Sequence, residues 1–302
     1  MKAIVAVKQG PPDVLQLREA EKPTPKDNEV LVKVHVATVT RGDVILRRLP
    51  AWLFPLLLPL RFLGLRRKSI PGTELAGEVA AIGTNVTRFK PGDHVFGTTT
   101  GLGVGANAEY VCLPERWKTG VLARKPAGVP YEGAAAVPVG GMTALQILRK
   151  AHIQPGQKVL IYGASGSVGT YAVQLAKHYG AEVTGVCSKV NLDLAKSIGA
   201  SNVIDYTKQD FAQTGEAYDV VFDAVGKISR SRAKPVLKAR GRYLTVKSMT
   251  RENNEDLAHL GELLESGALK PVIDRTYPLE QAAEAHKYVE TGRKRGNVVI
   301  AV

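Results

Sequence analysis

Short apolar runs separated by tight turn sequences fill the first part of the chain. Residues 3–7, 29–37, 77–82, 94–98 and 108–113 are such runs, and turns such as Pro91-Gly92-Asp93 punctuate them. This is the pattern of a compact, mostly-β domain, here over residues 1–127. From residue 128 the period changes. Buried-type strand runs at 158–162, 182–187, 202–204, 220–222 and 242–246 alternate with stretches of helical period. That alternation predicts a doubly wound parallel sheet with helices on both faces over residues 128–270. A last β-rich run at 298–302 closes the segment 271–302.

Residues 49–69 depart from this order. They are strongly apolar, but Pro50, Pro55, Pro59 and Arg61 interrupt them. A membrane-spanning helix needs roughly 18 or more uninterrupted apolar residues, so no span is expected. A loop over an apolar pocket, contact with a membrane interface, and packing into the core are three readings that the pattern leaves open.

The length of 302 residues suits two domains, and the 44% hydrophobic and 23% charged content is that of an ordinary folded protein. The first residues run straight into a strand pattern without the regions of a secretory signal, so a cytoplasmic location is expected. Cys112 and Cys187 are far apart and flanked by apolar residues. Neither a disulfide framework nor a thiolate metal cluster is available, and buried thiols are expected.

The formal charge of +13 is unevenly spread. Lys227, Arg230, Arg232, Lys234, Lys238, Arg240, Arg242, Lys247 and Arg251 fall between Asp223 and Glu252 with no acid among them. A solvated surface accounts for such a run, and attraction of phosphate or RNA is the alternative. Aromatic residues are only 6% of the chain, and Tyr243 is the one aromatic inside the run, which weakens a nucleic-acid reading.

The sharpest chemical feature follows the strand at 158–162. The turn Gly163-Ala164-Ser165-Gly166-Ser167-Val168-Gly169 leads into an amphipathic helical stretch. Glycines let such a turn close tightly and let backbone approach a pyrophosphate, whose charge meets the N–H groups of the helix start. The next strand run ends in Ser188-Lys189-Val190-Asn191 rather than in an acid. An acid there would bind the ribose hydroxyls of NAD and repel the extra phosphate of NADP. Ser188 and Asn191 can donate hydrogen bonds to that phosphate and Lys189 supplies charge, so the cofactor expected is NADPH. Asp223-Ala224-Val225-Gly226, after a later strand run, belongs to the same carboxyl edge of the sheet, where open parallel sheets bind ligands. A methyltransferase would also use a glycine-rich turn, but with an acid at the end of the second strand.

Five motifs in order, Pro71-Gly-Thr-Glu-Leu-Ala-Gly-Glu-Val, Lys90-Pro-Gly-Asp-His-Val-Phe-Gly, Ala134-Ala-Ala-Val-Pro, Gly141-Met-Thr-Ala-Leu and the Gly163 turn, resemble the medium-chain dehydrogenase/reductase superfamily. Within it the chain is similar to the zinc-free, quinone oxidoreductase-like branch. The resemblance implies a GroES-like catalytic domain, a Rossmann domain, and a C-terminal segment that returns to the first domain. It also implies that Thr143 lies near the cofactor, Tyr206 near the adenosine phosphate and Asn297 near the nicotinamide end.

Zinc-using members carry a Cys before an Asp and a Gly-His-Glu, whereas this chain reads Thr38-Val-Thr40-Arg-Gly-Asp43 and Gly72-Thr73-Glu74. No metal is therefore expected. Quinone reductases of the branch often have Asn in place of Thr40 and Tyr in place of Ile45. After Lys247 the chain also goes directly to 248–254, where relatives insert a loop and a strand that commonly pairs two subunits. A monomer or weak dimer is therefore expected.

With no metal and no paired catalytic carboxylates, positioning is expected to do most of the work, with hydride passing to an electron-poor carbon of a quinone, an enone or enal, or a similar small carbonyl. Thr40 or a water would hydrogen-bond the developing oxyanion, and Asp43 would fix the loop rather than act as an acid. A catalytically weak NADP(H)-binding sensor and a basic RNA-binding protein of the same fold are the alternatives.

Overall fold

The computed structural model describes residues 1–49 and 69–302, and the expectations for the apolar segment fall on residues 50–68, outside the described residues. The chain forms two compact units, one of Met1–Val139, Glu252–Glu265 and Ile273–Val302, the other of Gly140–Arg251 and Ser266–Val272.

In the first unit β1 (Lys2–Ala6) pairs antiparallel with β2 (Leu15–Glu19). The centre of its main sheet is β3 (Glu29–Thr38), which is flanked by β4 (Glu74–Ile82) and pairs with β6 (Tyr110–Pro114). Val30, Val32, Val34 and Val36 of β3 are buried, and burying such side chains contributes roughly 1.5–3 kcal/mol each. Between β3 and β4 lies α1 (Arg41–Arg48), and β5 (His94–Thr98) and β7 (Leu122–Arg124) extend the sheet beyond β4. The run expected at 108–113 pairs only from Tyr110, while Ala108 makes an isolated bridge to Ala3. A short helix, α2 (Tyr131–Ala136), leads into α3 (Pro138–Arg149).

The second unit is built on β8 (Lys158–Tyr162), β9 (Glu182–Cys187), β10 (Asn202–Asp205), β11 (Tyr218–Asp223) and β12 (Leu237–Thr245). They form one parallel sheet in the order β10-β9-β8-β11-β12. The helix α4 (Ser167–His178) connects β8 to β9, α5 (Leu192–Ser197) connects β9 to β10, and α6 (Arg230–Ala233) connects β11 to β12. The direction of twist that makes such crossovers right-handed places successive helices against the sheet. Within β12 the register jumps from Tyr218↔Leu237 to Val220↔Arg242, so 238–241 form a bulge inside the strand. β12 is the last strand on its side of this sheet.

The chain then enters α7 (Asn254–Glu265), whose Leu257, Leu260, Leu263 and Leu264 are buried at helical spacing. β13 (Ile273–Pro278), α8 (Ala282–Glu290) and β14 (Asn297–Ala301) complete the first unit. β14 lies antiparallel beside β3, with Val299 opposite Thr38, which is the C-terminal return that the resemblance implied. No helix among the described residues is long and apolar enough to cross a membrane. Cys187 is buried, Cys112 is only half-buried because it sits in β6 at the margin of the sheet, and burial pushes both thiols up to about 11.

Candidate active site

The glycine-rich turn of the second unit leaves no room for side chains at two of its positions. Gly163 has φ +84°, and a Cβ on it would lie 2.1 Å from Val225 Cγ2. A Cβ on Gly169 would lie 2.0 Å from the Gly163 carbonyl oxygen, so α4 approaches the turn as closely as backbone allows. The Gly163 and Ala164 N–H groups donate to the Val186 carbonyl at 2.9 and 3.1 Å, which ties the turn to β9. Gly166 is the N-cap of α4, and the first N–H groups of a helix have no intrahelical acceptor and favour an anion. Ser167 and Tyr171 of α4 pack against Gly140 of α3, where a Cβ would lie 2.6 Å from Ser167 Oγ.

The end of β9 joins this turn through one side chain. Asn191 is buried, and its Nδ2 donates to Ser165 Oγ at 3.0 Å and to Ser188 Oγ at 3.2 Å. Its Oδ1 is buried with no hydrogen-bond partner, an acceptor that a ligand hydroxyl would satisfy. Lys189 is exposed beside it. Tyr206 follows β10, donates its N–H to the Cys187 carbonyl at 3.1 Å, and has its ring 6.4 Å from that of Tyr162. The Asp223 carboxylate accepts from the N–H groups of Val225, Gly226 and Ile228 at 3.1, 2.8 and 2.9 Å, which presents Val225 over Gly163. Ser165, Ser188 and Asn191 are thus brought together by direct contact, with Val225 and Tyr206 on the same carboxyl edge. Val168 lies in the first turn of α4 and Thr143 is half-buried on α3.

The remaining predicted residues belong to the first unit. Thr40 caps α1, and its hydroxyl donates to Asp43 Oδ2 at 2.6 Å while accepting the Asp43 N–H at 3.1 Å. The Thr40 N–H also donates to Asp43 Oδ2, at 2.8 Å, and the Thr73 hydroxyl donates to Asp43 Oδ1 at 2.7 Å. Asp43 therefore binds the start of α1 to the strand-entry loop before β4. Asn297 is buried at the start of β14. Among the described residues no three His, Cys, Asp or Glu side chains come together as a metal-holding set.

Three titratable groups beside this loop were not singled out by sequence. Glu74 is buried, accepts from the Thr38 hydroxyl and from the Val139 N–H at 2.7 Å, and is pushed up to about 8 by burial. Its two hydrogen bonds oppose that rise, and the carboxylates of Asp43 and Glu252 add to it. His286 of α8 is fully buried with both ring nitrogens unpartnered, and burial pushes it down to about 4 against the pull of Asp43. Arg47, paired with Glu290, lowers it further. Burial likewise pushes the Lys294 ammonium down to about 8. An acid or a histidine inside an apolar run was the one signal available, and it is weak.

Comparison with known proteins gives a consistent family. An alcohol dehydrogenase GroES-like domain matches residues 26–126, and zinc-binding dehydrogenase families match residues 167–267 and 246–300. The 2-methylene-furan-3-one reductase of Solanum lycopersicum is 34% identical over 99% of this chain and 79% of its own length. The chloroplastic NADPH-dependent alkenal/one oxidoreductase of Arabidopsis thaliana is 32% identical over the same shares. Among solved structures, the quinone oxidoreductase from Coxiella burnetii superposes with a TM-score of 0.87 at 30% identity, covering 100% of this chain and 99% of that one.

Proposed function

This chain belongs to the medium-chain dehydrogenase/reductase superfamily, and from that membership we propose an NADPH-dependent reductase that acts without zinc on a quinone, an enone or enal, or a similar small carbonyl compound. The observation that carries the cofactor reading is the joint formed by Asn191 between the glycine turn and the end of β9, where no acid stands. The pyrophosphate would be held by the Gly163–Gly169 turn and the start of α4. Ser188, Lys189 and Tyr206 would hold the adenosine phosphate, and the orphaned Asn191 Oδ1 would accept a ribose hydroxyl. Bound NADPH would supply the hydride.

Three relatives named for a methylene-furanone, for alkenals and enones, and for quinones support an acceptor with an electron-poor carbon. Such carbons take hydride without the Lewis acid that simple carbonyls need. Two threonines and Asp43 satisfy one another, an oxygen set that lacks the thiolate and imidazole donors of a catalytic zinc. Because the Thr40 proton is committed to Asp43, a water is the group that hydrogen-bonds the developing oxyanion. Asp43 would act by holding this loop rather than as an acid.

Chelator treatment tests the reading. After dialysis against a chelator, NADPH oxidation with naphthoquinone or a simple enone is expected to persist. Loss of turnover that added zinc restores would contradict it.

A further inference from the structure

The basic run of the second unit divides by strand direction. All nine of its Lys and Arg residues are exposed. Lys234 precedes β12 and Arg240 lies in the bulge near its start, so both lie toward the amino edge of the sheet, while Lys238 pairs with Asp219 and Arg232 with Asp210. Lys227 and Lys247 differ from these, because they follow the last residues of β11 and β12 and so lie at the carboxyl edge. Neither has an ion-pair or hydrogen-bond partner for its ammonium among the described residues.

Gly226 brings the two together. It has φ +78°, and a Cβ placed on it would lie 3.1 Å from Lys247 Cε, so the Lys247 side chain crosses the turn immediately before Lys227. Asp223 beneath that turn does not neutralise them, because its carboxylate is committed to three backbone N–H groups. After Lys247 the chain turns at once, with the Ser248 N–H donating to the Thr245 carbonyl. It is then held to α3, where Gln146 Nε2 donates to the Arg251 carbonyl at 2.6 Å and Gln146 Oε1 accepts the Arg251 N–H at 2.9 Å.

The strand order says what these cations would meet. Along the carboxyl edge the adenosine phosphate belongs at β9, the pyrophosphate at the turn after β8, and the hydride-carrying half of the cofactor beyond it toward β11 and β12. Strands lie about 4.8 Å apart, so Lys247 stands three spacings, about 14 Å, from the end of β9. That is too far to serve the adenosine phosphate and on the far side of the pyrophosphate.

Resting on the function proposed above, we propose that Lys247 and Lys227 recognise an anionic group on the acceptor, so that the preferred substrates are quinones or enones bearing a carboxylate, sulfonate or phosphate. A cation at the reacting end raises capture of an oppositely charged acceptor and loses that advantage as salt screens it.

The test compares an oxo-enoic acid with its methyl ester, which share one carbon skeleton and differ in charge. The acid is expected to show a kcat/KM about tenfold above the ester at low ionic strength, a ratio that falls as salt is added. Lys247→Gln should reduce the ratio, Lys247→Arg should keep it, and the Lys227→Gln, Lys247→Gln double variant should bring it close to one. Reduction of acid and ester at equal rates would overturn the inference while leaving the proposed function intact. A preference for the acid that survives in the double variant would also overturn it. Failure to reduce either compound, or naphthoquinone, would overturn both.

Discussion

Glu74 keeps a proton that an ordinary carboxylic acid gives up. Its acid is raised from 4.5 to about 8 because burial disfavours the charged form more than two hydrogen bonds favour it. The folded chain therefore binds this proton more tightly than the unfolded chain does. The resulting stability is fully present below about pH 4.5 and is lost as pH rises toward 8. Glu74→Gln should flatten that dependence. Urea unfolding from pH 5 to 8 should show the wild type losing on the order of a few kcal/mol more than the variant, and parallel curves would contradict it. The second prediction at this scale concerns Lys189. NADPH is expected to bind at least about tenfold more tightly than NADH, or about 1.4 kcal/mol. Lys189→Ala should weaken NADPH in a fluorescence titration at fixed salt and leave NADH nearly unchanged. Lys189 could be proposed from the sequence because the residue type at a strand end decides what a phosphate would meet. Glu74 was not, because a lone acid in a strand pattern does not say what covers it.

Elements were legible where burial imposes a period. β8 and β9 are buried runs and β3 sets Val30, Val32, Val34 and Val36 on one side, so all three stand out in the sequence, whereas β13, with Asp274 and Arg275 on a sheet edge, has no such constraint and was not expected. β2 and β7 were missed as well, β2 because all but its first residue is exposed and β7 because it is three residues long. The joint between β8 and α4 is the element that would hold the pyrophosphate under the proposed function. At Gly169 an added Cβ would fall 2.0 Å from the Gly163 carbonyl oxygen, so α4 would have to move outward and carry its first N–H groups with it. Gly169→Ala is expected to cost about 1–3 kcal/mol of stability, as overpacking does. It should also weaken NADPH by at least about tenfold. Titration and thermal unfolding of the same variant read both effects, and unchanged NADPH affinity would show that the turn is not the pyrophosphate site.

For the whole chain, the sheet of the second unit ends at β12, and the residues around that edge carry charge of one sign. Arg240, Arg242 and Lys247 on two copies would repel across an edge-to-edge pairing, and an exposed edge guarded by cations is one that avoids association. A monomer or weakly associating dimer is expected in light scattering over a range of concentrations. A stable dimer at low micromolar protein and physiological salt would mean that another surface joins the subunits. The family and the two-part architecture were legible because glycine and proline positions are fixed by backbone geometry, which few other residues can satisfy. The acceptor class was legible only through that resemblance, and its finer chemistry was not, because exposed side chains obey no packing rule. The most direct test of hydride transfer uses NADPH deuterated at its transferring carbon together with an enone. Mass spectrometry should find one deuterium per reduced product, on carbon. Product without deuterium, or oxidation of NADPH with no reduced product, would contradict the account.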